Sequence, residues 1–565
     1  MRFFPLITVV AFTASAVYSQ KLTAEQRASD LRQVAGIYAK NYGPYEWKRD
    51  AKGFDLYELK PWLARAEKTT DDLEFADLLV EYVASLDDAH DSISFPSTWT
   101  ASLGFGVDLY EGKALIDTIN RTRLPLATFP FAIGDELVSV DAKPVEEWLT
   151  RLRKYNIAAN DGSTRRLVAG FITSRSQSRI PIAPRITPDK STIEVRRASG
   201  NLESYELTWL KSGTEMEFGP LPSPGSASAK RKAATASFDE DPTMPAHMIP
   251  LRSKMDLSFE LDRQTVLNFG GRAPIFTLPA NFQRRLGAAA TDIFTSGTFE
   301  SGGRRIGFIR IPSFTPANTN LALNQFIGEM IFFEQNTDGL IIDDMRNPGG
   351  SVGYCEFLLS LIMPNTFRTL GFEIRATSAW VASFQRTVQI AEANGFPEWQ
   401  VLSLKANLED LKIANLQNRG KTGPISLNQS GSLDLLTGPF AYTKPLIVLV
   451  DEMSASGGDF FPAVVQDNKR GLIVGMRTMG AGGNVVGYDA TTYTEGFTRV
   501  TESLMSRKNP VLGTEFPASV YVENVGVRPD VPVDYMTRDN LMNGGRTFVE
   551  TISKIMVDHI AASRN

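Results

Sequence analysis

The sequence predicts an α/β core in the second half of the chain, with a helical segment and a small β-rich domain ahead of it. Three observations carry this. Residues 306–311, 340–343 and 446–450 are short, continuously apolar runs separated by helical periodicity, the pattern of parallel strands in βαβ units. Residues 71–86 place Phe75, Leu78, Leu79, Tyr82, Val83 and Leu86 on one helical face. Between these regions, residues 102–210 change to short strands punctuated by glycine turns.

The elements follow in order. Residues 1–19 show Arg2, an apolar stretch and then small residues, the order of a secretory signal peptide, so the mature chain is expected to be exported. Residues 20–98 form a helical segment. It opens with Thr23 and Gln26 at capping-box spacing and closes with His90 just past the 71–86 helix. Residues 99–211 are the β-rich domain. Residues 212–302 are rich in Pro, Gly and Ser and read as a linker or insertion, with the basic triplet Lys230-Arg231-Lys232 as a solvated loop. Residues 303–542 hold the α/β core, and residues 543–565 a terminal helix with His559 on its solvated face.

Composition removes several classes of function. The 565 residues carry 59 Lys and Arg against 64 Asp and Glu, and a net charge of −5 gives no general pull toward nucleic acid or an anionic membrane. No segment beyond the N-terminus is apolar for long enough to suggest stable membrane insertion. One cysteine, Cys355, excludes an intrachain disulfide, and three histidines, His90, His247 and His559, argue against a zinc enzyme. No metal or organic cofactor is expected. Histidine-dependent catalysis would have to use one of those three; His247 lies in the linker, and His90 stands at a helix–strand junction from which a side chain can reach a cleft.

Two strand-to-helix turns in the core carry chemistry. Arg346-Asn347-Pro348-Gly349-Gly350 follows the strand at 340–343, and Ser454-Ala455-Ser456-Gly457-Gly458 follows that at 446–450. Paired glycines at a helix start allow backbone N–H groups to face a developing negative charge, and a serine between small residues on such a turn is approachable.

These residues resemble a family. Asp343 to Gly350, Val448 to Ser456, Gln466-Asp467-Asn468 and Val474 to Gly480 are similar to the motifs of the tail-specific (C-terminal processing) serine proteases. That resemblance implies a crotonase-like (ClpP/crotonase-type) core with a PDZ-like domain. Gly104-Phe105-Gly106-Val107 and the Gly134-Asp135 to Val140-Asp141 run resemble the latter, which implies peptide binding by Gly104, Phe105 and Gly106. It also implies Ser456 as nucleophile and Gly349, Gly350 and Gly457 as the oxyanion hole. The lysine that serves as base in one branch is absent, because Thr478-Met479-Gly480 runs into Ala481. The Ser-His-Glu branch, represented by tricorn protease and the chlamydial protease-like activity factor, matches better. Asp87-Asp88-Ala89-His90 resembles its histidine context, and Glu523-Asn524-Val525-Gly526-Val527-Arg528-Pro529-Asp530 its closing motif. Glu523 is preferred over Glu515 as the third member.

The expected function is an exported serine endopeptidase acting on polypeptides, with a homodimer as the assembly considered. The alternatives are a non-catalytic binding protein on the same scaffold and, further off, a crotonase-type acyl-CoA enzyme.

Overall fold

Five parallel strands organise the second half of the chain. The computed structural model describes residues 21–216, 248, 251, 255–256, 268–428, 430–512 and 515–563. The expected signal peptide, Lys230-Arg231-Lys232 and His247 lie outside the described residues. The main sheet has the order Gln283–Leu286, Thr295–Ser301, Arg304–Arg310, Gly339–Asp343, Leu446–Val450, Leu472–Gly475, Val531–Pro532. The first two ladders are antiparallel and the other four parallel. Every residue of Gly339–Asp343 and Leu446–Val450 is buried, which is why these strands read as unbroken apolar runs. Ile342, Val448 and Val450 point to a core with Phe326, Leu358 and Phe461. Ile341, Ile447 and Leu449 point to the opposite core, with Phe548, Ile552 and Met556 of the last helix.

Two boundaries differ from expectation. Gln283–Leu286 and Thr295–Ser301 lie in the stretch taken for a linker, yet they form the antiparallel edge of the catalytic sheet. Gln283–Leu286 is the edge strand, its residues mostly exposed, and the polar Thr295-Ser296-Gly297-Thr298 hid its neighbour, which is paired on both sides. The last helix, Arg546–Ala562, closes one face of the sheet rather than standing apart, and His559 on it is half-buried.

The helices Ala24–Asn41, Tyr45–Lys52, Lys60–Lys68 and Asp72–Ala84 share one core with the β-rich domain. Tyr38, Phe75 and Leu79 belong to the same cluster as Trp148, Ile193, Val195 and the distant Val500. The β-rich domain is a sheet in the order Phe105–Tyr110, Lys113–Ile119, Glu136–Val140, Lys190–Arg196, Leu202–Thr208. A hairpin, Val485–Asp489 and Phe497–Thr501, reaches out of the catalytic half and pairs with Ser92–Ser94. That pairing brings the segment just after His90 against the catalytic half. A second unforeseen element is the helical pair Ser378–Ala393 and Glu398–Leu416, which buries Trp380, Phe384, Leu404 and Leu411.

Candidate active site

Ser456 ends the turn after Leu446–Val450 and caps the helix Gly457–Asp467. Its backbone has φ 57° and ψ −106°, a conformation costing a β-carbon-bearing residue about 1–3 kcal/mol. The surroundings hold it there. The Ser456 N–H donates to Asp459 Oδ2 at 2.8 Å, and Ala455 N–H donates to the Asn347 carbonyl at 2.9 Å. Ser456 Oγ is buried and makes no hydrogen bond among the described residues. It stands at the N-terminus of an 11-residue helix, where the dipole favours negative charge.

The glycines of the two turns are required by contact. A β-carbon on Gly457 would stand 2.9 Å from Gly349 Cα and 3.0 Å from the Gly350 nitrogen, and one on Gly458 would stand 2.6 Å from the Asn347 carbonyl oxygen. The turns therefore pack backbone against backbone. Gly457 is the first residue of its helix, so its N–H has no intrahelical acceptor. Gly350 bridges to Phe314 through its neighbours, Phe314 N–H donating to the Gly349 carbonyl and Ser351 N–H to the Phe314 carbonyl, which leaves the Gly350 N–H outside the pairing. Gly349 corrects the expectation: its N–H is spent on Asn347 Oδ1 at 2.9 Å. Asn347 also donates to the Ile311 carbonyl and to Asp344, so its side chain shapes the turn.

Asp459 is the residue that sequence reasoning missed. One carboxylate oxygen accepts the Gly480 N–H at 2.8 Å and the Thr478 hydroxyl, and the other accepts the N–H groups of Ser456 and Ala481. Thr478 Oγ1 in turn accepts the Val527 N–H at 2.7 Å. The Thr-x-Gly element and the closing motif thus meet around the nucleophile turn. Burial pushes the Asp459 carboxyl up to about 6. The signal was present: Ser-x-x-Asp opening a helix is a capping pattern.

His90 is buried and its backbone N–H donates to Asp88 Oδ1 at 2.9 Å. Its ring lines a cavity of about 20 Å³ with Tyr155, Arg179 and Arg499, and Ser456 is not among the lining residues. Burial, followed by the charges of Arg499 and Lys48, holds the imidazole well below its ordinary value, so it is neutral at pH 7. Ala89 beside it belongs to one small apolar cluster with Ala455, Met479 and Ala481.

Glu523 is fully buried, whereas Glu515 has a 55 % exposed side chain paired with Arg477 at 2.7 Å. The Glu523 carboxylate accepts the Gly482 N–H at 2.9 Å and pairs with Lys48 Nζ at 2.5 Å. Burial and then the charge of Asp88 raise it to about 7, against the opposing pull of Lys48. Cys355 is buried with its thiol pushed up, which leaves it inert.

The β-rich domain grips this site through charge. Arg166, on the helix Asp161–Ala169, donates to both oxygens of Asp108 at 3.1 and 2.8 Å and to Glu452 at 2.9 Å, next to the nucleophile turn. Asn160 donates to the Met479 carbonyl at 2.8 Å. The expected peptide loop is filled by the protein's own contacts. Gly104 N–H donates to Ser102 Oγ, the Gly104 carbonyl accepts from Asn120, and the Phe105 ring packs on Phe131. All six residues of Phe105–Tyr110, Gly106 among them, are buried.

A strained serine at a helix start, beside glycine N–H groups from a neighbouring βα turn, is an arrangement suited to acyl transfer. The comparisons agree. The model of peptidase family S41 matches residues 305–533, that of a PDZ domain matches residues 99–216, and the chain is a serine-type peptidase. A protein of Chlamydia pneumoniae is 26 % identical over 599 residues, covering 97 % of this chain and 93 % of its own length. The carboxyl-terminal-processing protease of Synechocystis sp. is 30 % identical over 148 residues, 25 % of this chain and 30 % of its own. The solved structure of mature CPAF complexed with lactacystin shares the fold, with a TM-score of 0.74 at 20 % identity over 95 % of this chain and 99 % of that chain.

Proposed function

We propose that the endopeptidase works through an acyl-enzyme on Ser456, with His90 as general base and Glu523 as the carboxylate that supports the imidazolium. The observation that carries this is Ser456 itself, a strained helix cap whose Oγ has no hydrogen-bond partner among the described residues while its backbone is locked by Asp459. Attack of Oγ on a peptide carbonyl passes the hydroxyl proton to the neutral His90, and the oxyanion faces the N–H groups of Gly350 and Gly457. His90 then returns the proton to the leaving amine, and water attacking the ester regenerates the serine by the same exchange. Ser456 Oγ is not hydrogen-bonded to His90 in this structure; the pair closes when substrate seats, as catalytic hydrogen bonds commonly tighten on binding. Gly349 shapes the oxyanion turn through Asn347 and is not a donor.

The substrate is a polypeptide. Among the described residues no helix is long and apolar enough to cross a membrane. Export rests on the order of residues in the first 19 positions, and a homodimer would show as twice the chain mass in light scattering. The deciding experiment is labelling with a fluorophosphonate, which reacts only with an activated serine. Wild type should label, and Ser456→Ala should not. His90→Ala should label slower by about 10²–10⁴-fold, the usual weight of a general base. A His90→Ala protein that labels at the wild-type rate would remove His90 from the mechanism.

A further inference from the structure

Lys48 lies on the helix Tyr45–Lys52 with a fully buried ammonium, and the mechanism above does not use it. Its Nζ meets three acceptors: Glu523 Oε1 at 2.5 Å, Asn524 Oδ1 at 2.6 Å and the Asp87 carbonyl at 2.7 Å. An ammonium has three protons and no acceptor capacity, so the three partners use it completely. A lysine held this way has no lone pair to offer Ser456, and it cannot be the general base of the other branch displaced to a new position. What it can do is fix charge and place. Two of its acceptors belong to the closing motif, and the third lies three residues before His90.

The geometry points to Lys48 as a positioning residue: its saturated ammonium pairs with the Glu523 carboxylate and ties it to the segment that carries His90. This rests on the assignment of Glu523 to the reaction. Asn524 strengthens the tie, because its amide donates to the Asp87 carbonyl at 3.0 Å and to the Ala159 carbonyl at 3.1 Å. The need for a cation follows from the company Glu523 keeps. Asp88 raises its carboxyl, and Glu523 in turn acts on Asp91, on the Tyr42 hydroxyl and on Lys52. Asp88 is itself held by the Tyr42 hydroxyl at 3.1 Å and by the His90 N–H. Lys52 is pushed down to about 8 by burial and by Lys48, which leaves Lys48 as the cation in direct contact with Glu523. Without Lys48, Glu523 would be one of three carboxylates gathered in a buried pocket and would take up a proton at higher pH.

The test measures the second-order rate of fluorophosphonate labelling of the full chain from pH 5.5 to 10, for wild type, Lys48→Met, Glu523→Gln and the double variant. Lys48→Met should label about tenfold slower at pH 7, with the acid limb displaced upward by about one unit or more and the wild-type rate approached by pH 9.5–10. Adding Lys48→Met to Glu523→Gln should change the rate by less than about twofold, because the lysine acts through the glutamate. If the single variant fails to fold around its uncompensated carboxylate, the double variant carries neither charge and decides alone; a rate more than about tenfold below Glu523→Gln overturns the proposal. A Lys48→Met protein with the wild-type limb, at an equal or uniformly reduced rate, also overturns it. Wild type that fails to label removes the serine mechanism and this inference together, whereas wild type that labels with an unmoved limb in Lys48→Met removes this inference only.

Discussion

The Asp459 carboxylate accepts the Ser456 N–H at 2.8 Å, three residues back across the helix start, and this contact holds the serine at φ 57°. The same group gathers the N–H groups of Gly480 and Ala481. Asp459→Asn presents an NH₂ to one of these three N–H groups. The expected result is a loss of about 1–3 kcal/mol of stability, read as a lower Tm, together with loss of fluorophosphonate labelling. Retention of wild-type labelling would separate Asp459 from the nucleophile's geometry.

The two serines of the turn should part company. Ser456 Oγ has no hydrogen bond to lose, so Ser456→Ala should abolish labelling and hydrolysis while leaving Tm unchanged or slightly raised. Ser454 Oγ donates to the Asp344 carbonyl at 2.9 Å and accepts the Asp451 N–H at 3.1 Å, so Ser454→Ala should lower Tm, by about 1–3 kcal/mol of stability, and keep most activity. Thermal melts and labelling on the same two preparations decide it.

Gly457→Ala drives a methyl group to 2.9 Å from Gly349 Cα and 3.0 Å from the Gly350 nitrogen. Neither backbone can yield without moving an oxyanion donor, and losing one such donor costs about 10²–10³ in kcat. The expected signature is a fall in kcat with KM nearly unchanged. A fall confined to KM would place the turn outside the oxyanion hole.

The pH dependence separates the titrating groups. Burial, followed by the charges of Arg499 and Lys48, holds the His90 imidazole well below its ordinary value. The acid limb of labelling should therefore follow Glu523, near 7, and in Glu523→Gln it should move down toward the Asp459 value of about 6, at a sharply reduced rate. Glu515→Gln, which breaks an exposed pair, should be nearly silent. The same shift has a stability sign. The folded Glu523 carboxyl keeps its proton up to about 7 while the unfolded one releases it near 4.5, so this group lowers stability as pH rises between those values. Glu523→Gln should flatten that part of the Tm–pH curve.

The nucleophile turn was legible because its constraint is steric and local. Gly349-Gly350 and Gly457-Gly458 occur where backbones touch, and strand–turn–helix periodicity surrounds both. His90 stood out through scarcity, being one of three histidines and the one at a junction, and the structure buries it beside Asp88. Lys48 was not. In Tyr45-Glu46-Trp47-Lys48-Arg49-Asp50 it looks like any solvated helix lysine, and what buries it comes from the closing motif near the other end of the chain. The use of the Gly349 N–H by Asn347 depends on a side-chain rotamer that spacing does not encode. The closed state of Gly104-Phe105-Gly106 likewise follows from tertiary packing on Phe131 and Asn120. The helical pair at 378–416 was readable in principle, since Trp380, Phe384, Val388 and Ala391 recur on one face.

The contact between Lys48 and Glu523 spans 475 positions of sequence, and that from the Tyr38 hydroxyl to the Arg499 carbonyl spans 461. A ribosome delivers these partners at opposite ends of its task. At about 5–20 residues per second, the first helices wait roughly half a minute or more for the strands that complete their core. During that interval the buried lysine, the carboxylates near His90 and the alanine wall have no opposite side. A nascent or truncated chain lacking its final 45 or so residues has the serine turn but not Glu523 and Asn524, the partners of Lys48. Proteolytic competence is thus deferred to the end of synthesis by topology alone, and the closure entropy of so long a loop makes slow, late maturation the expected folding behaviour.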